Sequence, residues 1–274
     1  VSQIIRVLSR SSSGTGDWHI AIKSGGHHLP GVSSIANGVT IDLAMMNSSS
    51  YNPQTGLASI QPGARWGDVY YNLLRTANVT VMGGRDGGVG VGGFLLGGGI
   101  SFHTGRHGFA CNAVVNMEIV LANGSIISTN ENEHPGLFKS LKGGSSNLGI
   151  VTRFDVETMP AVDIGFGISV FSSNHSEDIQ RAFVDFTDAQ EENKDDALVT
   201  LYSYGGGESS NASRIILRVN TQGDLETPSF DKFNEIPAIH STWERISLPD
   251  ALNGSSVTTI TRYEVDSGYA RDNS

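Results

Sequence analysis

The sequence predicts an α+β protein in two parts, divided near residue 160. Three observations predict it. Short β-like runs alternate with stretches whose apolar residues recur at helical spacing, so both element types are present throughout. The 34 glycines gather at 83–108 and 143–149, with a further pair in the loop after residue 23, where a flexible linker would spread them evenly. After Pro160 glycine thins out, and a polar helix followed by two strands replaces it.

Taken in order, "VSQIIRVLSRSSSGTGDW" reads as the tail of an amphipathic helix whose preceding strand is missing, so the chain is expected to be a fragment. "HIAIKS" alternates and runs as a strand into the tight loop "GGHHLPG". "GVTIDLAMM" and "GLASIQPGA" read as strands joined by a polar turn. "RWGDVYYNLLRTAN" is a helix with Trp66, Val69, Tyr70, Leu73 and Leu74 on one face. Residues 83–101 contain GxGxxG-like spacings, but the glycines continue too long for a helix to start among them, which argues against a Rossmann turn. "VVNMEIVLANGSIIST" is a hairpin turned at Asn123-Gly124. "HPGLFKSLKGG" is a short helix with proline early and glycines at its end. "GIVTRFDVETMP" is a strand, "SEDIQRAFVDFTDAQEENKDD" a polar helix, and "ALVTLYSYGG" and "RIILRVNTQG" are strands.

Composition excludes several partner classes. Eighteen basic against 28 acidic residues give a net charge of −10 with no basic run, which argues against nucleic acid and anionic membrane surfaces. No apolar run reaches membrane-spanning length. The single cysteine, Cys111, rules out an internal disulfide framework and a CxxC metal site, and it reads as a buried packing residue. Sequons at Asn47, Asn78, Asn123, Asn174, Asn211 and Asn253 point to secretion, although no signal peptide is visible.

The loop Ser24-Gly25-Gly26-His27-His28 carries the chemistry. Glycines let a ligand approach the main chain, and successive N–H groups in such a loop hold phosphate. The histidine can be a base, a metal ligand, or the attachment point of a cofactor. A metal held by both histidines is disfavoured, because adjacent side chains of an extended segment point to opposite faces. Three glycine loops, at 24–28, 83–101 and 143–149, suit a long ligand with a diphosphate in its middle.

"IKSGGHHLPGVSSIANGVTIDLAMMN", "PGARWGDVYYNL", "GGVGVGGFLLGGGISFHTGRHGFACNAVVNMEIVLANGSI" and "LFKSLKGGSSNLGIVTRF" follow one another in this order. As a set they resemble the PCMH-type FAD-binding domain of the vanillyl-alcohol-oxidase superfamily, with the berberine-bridge-enzyme-like oxidases of secreted fungal type as the nearest branch. The resemblance spans 1–160 strongly and 161–274 in outline. It implies a PCMH-type FAD-binding domain of two small α/β subdomains over 1–160, followed by the start of an antiparallel-sheet substrate domain over 161–274. It implies FAD bound covalently through His27, with Ser24, Gly25, Gly26, His28, Gly84, Gly88, Val89, Gly92, Gly93, Gly97, Gly98, Gly99, Ser101, Gly105, Gly108, Asn112, Gly149, Ile150 and Val151 around the cofactor. Relatives often carry a second link through a cysteine where this chain has Asp86, so attachment through the histidine alone is expected. Asn112-Ala113 stands where relatives often have Asp-Asn. Val89 occupies the position at which valine accompanies oxidases and leucine dehydrogenases. The implied activity is oxidation of an alcohol, sugar or secondary metabolite, a small-molecule substrate, with dioxygen as acceptor and no metal. A dehydrogenase that avoids oxygen, and a truncated product that binds flavin poorly, stand as alternatives. The substrate base is expected beyond Ser274, leaving Tyr202, Tyr204 and His240 as weak candidates.

Overall fold

A computed structural model describes residues 1–11, 19–28, 32–36, 38–204 and 212–254. The Leu29-Pro30-Gly31 turn and the Asn211 sequon lie outside the described residues. The chain runs α1 (Ser2–Ser11), β1 (His19–Lys23), β2 (Gly38–Asp42), β3 (Ser49–Asn52), β4 (Leu57–Ile60), α2 (Trp66–Ala77), β5 (Val79–Thr80), α3 (Val91–Leu96) and α4 (Thr104–His107). It continues through β6 (Val114–Val120), β7 (Ile126–Asn130), α5 (Pro135–Leu141), β8 (Ile150–Glu157) and β9 (Met159–Pro160). The remainder is β10 (Ile164–Ser172), α6 (Ser176–Asp188), β11 (Asp196–Tyr204), β12 (Ala212–Asn220), α7 (Asp231–Asn234), β13 (His240–Ser241), β14 (Glu244–Ile246) and α8 (Leu248–Gly254).

Two compact units result. The first holds Val1–Ser101, Phe109–Ala161 and the described residues from Leu252. Its antiparallel sheet has the order β3-β4-β8-β6-β7, beside a parallel β1-β2 pair and a short β5-β9 ladder. On α2 the expected apolar face is buried at Trp66, Val69, Tyr70 and Leu73, with Leu74 half-buried. Asn78 ends the helix in the left-handed region at φ 53, where its N–H reaches Leu74 O. Beneath α1, Ile5 packs with Ile41, Leu43, Val120 and Ile150. The β6-β7 hairpin turns at Asn123-Gly124 as expected, with Gly124 at φ 77.

The second unit holds Phe102–Gly108 and Val162–Ala251. Its sheet is antiparallel in the order β11-β12-β10-β13, with β14 also on β10. Phe171 and Ile216 of this sheet form a core with Ile179, Ala182 and Phe186 of α6 and with Phe230 and Phe233. Arg106 holds the α4 segment to this unit through the carboxylate of Asp195, its Nε donating at 2.7 Å.

Three expectations need correction. No turn joins β2 to β4: β3 lies between them, β2 pairs with β1, and β4 pairs with β3 and β8. The polar stretch "SSYN" carries no period-2 apolar signal, and its pairing with β4 makes it a strand. A helix does begin within the glycine run, at Val91, because tertiary anchoring outweighs the low helix propensity of glycine. Val91 and Leu95 are fully buried there, and the N–H groups of Val91 and Gly92 donate to Ala64 O and Pro62 O at 2.9 and 3.1 Å. Finally, Phe102–Gly108 packs in the second unit although the sequence reading assigned it to the first part, and β10, which that reading passed over, is central to the second sheet.

Candidate functional site: a cavity between three glycine loops

Beyond β1 the chain enters the loop Ser24–His28 with Lys23 O accepting from Leu43 N at 2.8 Å. Ser24 Oγ donates to Pro62 O at 2.5 Å and accepts from Gly92 N at 3.2 Å, so this one hydroxyl joins the first loop to the start of α3. Gly25 and Gly90 face each other so closely that a Cβ on either would lie 2.5 Å from the other's backbone. Arg65 completes the join. It donates through Nη1 to Gly88 O and through Nη2 to Gly25 O, the latter at 3.5 Å. Asp86 accepts the Gly88 N–H at 2.7 Å and so shapes the turn that precedes Val89.

The third loop is tied to the same helix. Gly143 N and Ser145 N both donate to Leu96 O at 3.0 Å, and Ser145 lies in the left-handed region at φ 57. Gly149, at φ 143, packs where a Cβ would sit 2.7 Å from Val120 O, which delivers Ile150 and Val151 into β8.

These loops enclose a cavity of about 300 Å³. Of the residues expected around a cofactor, Ser24, Gly25, Gly26, His27, His28, Val89, Gly92, Gly93, Gly149, Ile150 and Val151 line it. His27 and His28 are its only titratable liners among the described residues, and both are exposed. The N–H groups of Gly25, Gly26 and His27 have no hydrogen-bond partner among the described residues. Gly26 sits at φ 71, and a Cβ on Gly93 would meet nothing within 4 Å. Unengaged backbone donors, no lining carboxylate, and apolar walls at Ile22, Leu43, Leu96 and Ile150 fit a ligand with a diphosphate and flat rings. The residues present therefore fit a bound FAD.

Other expected residues do not line the cavity. Gly84 is buried against Trp66, a Cβ there lying 2.6 Å from the indole. Gly88 is occupied by Asp86 and Arg65. Gly97 ends α3 on Gly93 O, and Gly98 and Gly99, at φ 98 and 76, accept from Cys111 N and Ala110 N at 2.9 Å. Ser101 is buried. Asn112 is exposed in a 3-10 turn over Ala110–Ala113. Gly105 and Gly108 belong to the second unit, where a Cβ on Gly105 would lie 2.8 Å from Lys194 O. Cys111 is buried, and burial pushes its thiol up.

Of the weak base candidates, Tyr202 is exposed with Arg214 stacked 3.6 Å over its ring, and His240 is exposed on β13. Tyr204 ends β11, and its side chain lies outside the described residues. Among the liners, Pro62 was not expected from the sequence, and Phe94, Ser145 and Ser146 fall within the expected loops 83–101 and 143–149 without having been singled out. The Pro-Gly pair before α2 and the serines after Gly143-Gly144 were the available signals. Sequence reasoning also passed over His103, which is buried in the second unit. Burial, reinforced by the neighbouring His107, lowers its pKa to about 4 against a smaller opposing pull from Asp195.

The fold and the sequence have known relatives. Residues 1–130 match the family model described as FAD binding domain. An FAD-dependent monooxygenase from Aspergillus calidoustus is 44% identical over 185 residues, covering 67% of this chain and 35% of that protein. Another, from Cochliobolus heterostrophus, is 36% identical over 252 residues, covering 88% of this chain and 48% of its own length. The chain thus spans less than half the length of these two relatives. Among solved structures, 6-hydroxy-D-nicotine oxidase from Arthrobacter nicotinovorans superposes with a TM-score of 0.79 at 20% identity, covering 100% of this chain and 57% of that one. A berberine bridge enzyme variant gives 0.75 at 20% identity, covering 94% of this chain and 52% of its own. At these identities the shared property is the fold, which is the PCMH-type FAD-binding fold expected from the sequence.

Proposed function

We propose, from the match of residues 1–130 to the FAD binding domain model, that this protein is the FAD-holding part of an oxidoreductase acting on an alcohol, sugar or secondary metabolite, with dioxygen as electron acceptor. The observation that carries the reading is the convergence of three glycine loops on one cavity with unengaged N–H groups at Gly25, Gly26 and His27. Bound there, FAD supplies hydride acceptance from substrate and return of the electrons to oxygen. The chain's own residues bind and orient it. Gly26 and Gly93 keep side chains out of its way, and the N–H groups of the first loop face its negative charge. His27, an exposed liner of the cavity, is the attachment point, and attachment is through this residue alone because Asp86 offers no thiol and its carboxylate is engaged by Gly88 N. The 1–160 part is the cofactor domain, and the remainder begins the substrate domain.

The names of the curated relatives favour a second reading, in which an oxygen atom enters the substrate. Labelled dioxygen separates the two. An oxidase releases the label as hydrogen peroxide, one per substrate oxidised, and a monooxygenase places it in the product. Finding neither, with turnover only on artificial acceptors, would leave a dehydrogenase and refute both.

Secretion is part of the proposal. Asn47, Asn78, Asn123 and Asn174 are all exposed, as acceptors of N-linked glycan must be. Among the described residues no helix is long and apolar enough to cross a membrane. Expression in a secreting host followed by enzymatic deglycosylation should lower the mass. An unchanged mass would count against secretion.

A further inference from the structure

The second unit contains a buried cation that pairs with no anion among the described residues. Arg218, on β12, is 2% exposed, and burial pulls its pKa down. It has no ion pair among the described residues, and its Nε has no hydrogen-bond partner. Its Nη1 donates to Asn234 Oδ1 at 2.5 Å, while Nη2 donates to Ser241 Oγ and Thr242 O, each at 3.2 Å. The rings of Trp243 and Phe230 lie 5.2 and 5.9 Å from the guanidinium carbon. A buried charge left without a counter-charge is costly.

Beside it lies a cavity of about 280 Å³, with Ser169, Asn234 and Ser241 at its polar end and Phe171, Phe233 and Ile236 along its walls. Proton bookkeeping sets the character of that end. A guanidinium only donates, so Asn234 must present its carbonyl oxygen to Arg218, which leaves its amide NH2 for the cavity. Ser241 Oγ accepts from Arg218 and is 2.9 Å from Ser169 Oγ. If Ser241 passes its proton to Ser169, the Ser169 hydroxyl is left to donate outward. Two donors backed by a buried positive charge, in a small cavity of largely polar lining, call for an acceptor-only, negatively charged head on a short body. We propose that this cavity is a binding site for a small monocarboxylate, its two oxygens taken by Ser169 Oγ and Asn234 Nδ2 and its charge offset by Arg218. Glu235 is the one ionisable liner among the described residues, and it opposes such a ligand electrostatically. The site lies wholly in the second unit and does not depend on how FAD is held.

Sodium propionate is the probe, with propionamide as its uncharged analogue and sodium chloride matching ionic strength. Equilibrium dialysis of labelled propionate against the purified protein should show one saturable site, with a matching rise in melting temperature. Ser169→Ala should weaken binding about tenfold. Glu235→Gln should tighten it by removing repulsion. Ala238→Trp, which leaves the polar network intact and fills the slot from its wall, should abolish it, so the proposal stays testable if Ser169→Ala fails to fold. Absence of saturable binding, equal affinity for propionamide, weaker binding in Glu235→Gln, or unchanged binding in Ala238→Trp would each overturn the assignment.

Discussion

Glycines that look alike in the sequence do different work in the loops. Gly25 and Gly90 are small because two backbone segments touch there, and Gly83 and Gly84 are small because Trp66 fills the space above them. Gly26, by its positive φ, and Gly93, by the open space beyond it, fit the ligand-facing role most fully, while Gly25 lines the cavity and offers its N–H from that backbone contact. A matched pair of substitutions separates the roles. Gly90→Ala should cost about 1–3 kcal/mol of stability, because its Cβ would overlap Gly25, and this should appear in denaturant unfolding without FAD. Gly93→Ala should be neutral or stabilising by up to about 1 kcal/mol, since it sits in α3 with no neighbour, yet should lower flavin occupancy. Equal stability loss in both would refute the distinction. Val89 lines the same cavity, and its carbonyl is held by Trp66 N at 3.1 Å, so its backbone is fixed while its side chain can be exchanged. On the proposed oxidase reading, Val89→Leu adds one methylene at the cavity wall on the path of dioxygen. In stopped-flow measurements it should slow reoxidation by oxygen more than reduction by substrate, and equal slowing of both half-reactions would remove Val89 as an oxygen gate.

At the scale of elements, what the sequence made legible is what side-chain periodicity and turn chemistry encode. The α2 stripe from Trp66 to Leu73, the Asn123-Gly124 hairpin, and the proline-led α5 all appear where local pattern placed them. Pairing is not encoded locally. β3 has no apolar alternation, α3 is rich in the poorest non-proline helix former, and β10 contains two glycines, so each exists because of distant partners: β4, the Pro62–Ala64 carbonyls, and β12. In the site, the first loop stands out in the sequence by its glycines and histidines, whereas Pro62 is brought in by hydrogen bonds from Ser24 Oγ and Gly92 N, and Ser145 by its N–H to Leu96 O. The short α4 segment carries a pH signature that no local pattern announces. His103 is buried neutral, with a folded pKa of about 4 against 6.5 when unfolded. Between those values the unfolded chain binds a proton that the folded one refuses, so stability contributed by the neutral imidazole is present above pH 6.5 and is lost as pH falls toward 4. Denaturant unfolding at pH 4.5 and pH 7 should show wild type losing roughly 1–3 kcal/mol more than His103→Gln, and an identical loss in both would place the titration elsewhere.

For the molecule as a whole, every liner of the candidate cofactor cavity among the described residues lies in the first unit, in Val1–Ser101 or Phe109–Ala161. The substrate base is a different matter, since Tyr202 and His240 are exposed strand residues of the second unit. Cofactor holding is therefore the property this chain can be asked for directly. The most direct test is peptide mass mapping of the purified, denatured and trypsin-digested protein. Cleavage after Lys23, Arg65, Arg85 and Arg106 yields Ser24–Arg65, which contains His27, and Asp86–Arg106, which contains the position where relatives often carry a second link. The account predicts the added mass of one FAD on Ser24–Arg65, with fragment ions placing it on His27, and an unmodified Asp86–Arg106. Flavin mass on His28 or on Asp86–Arg106, or an unmodified Ser24–Arg65 with all flavin released on denaturation, would contradict it.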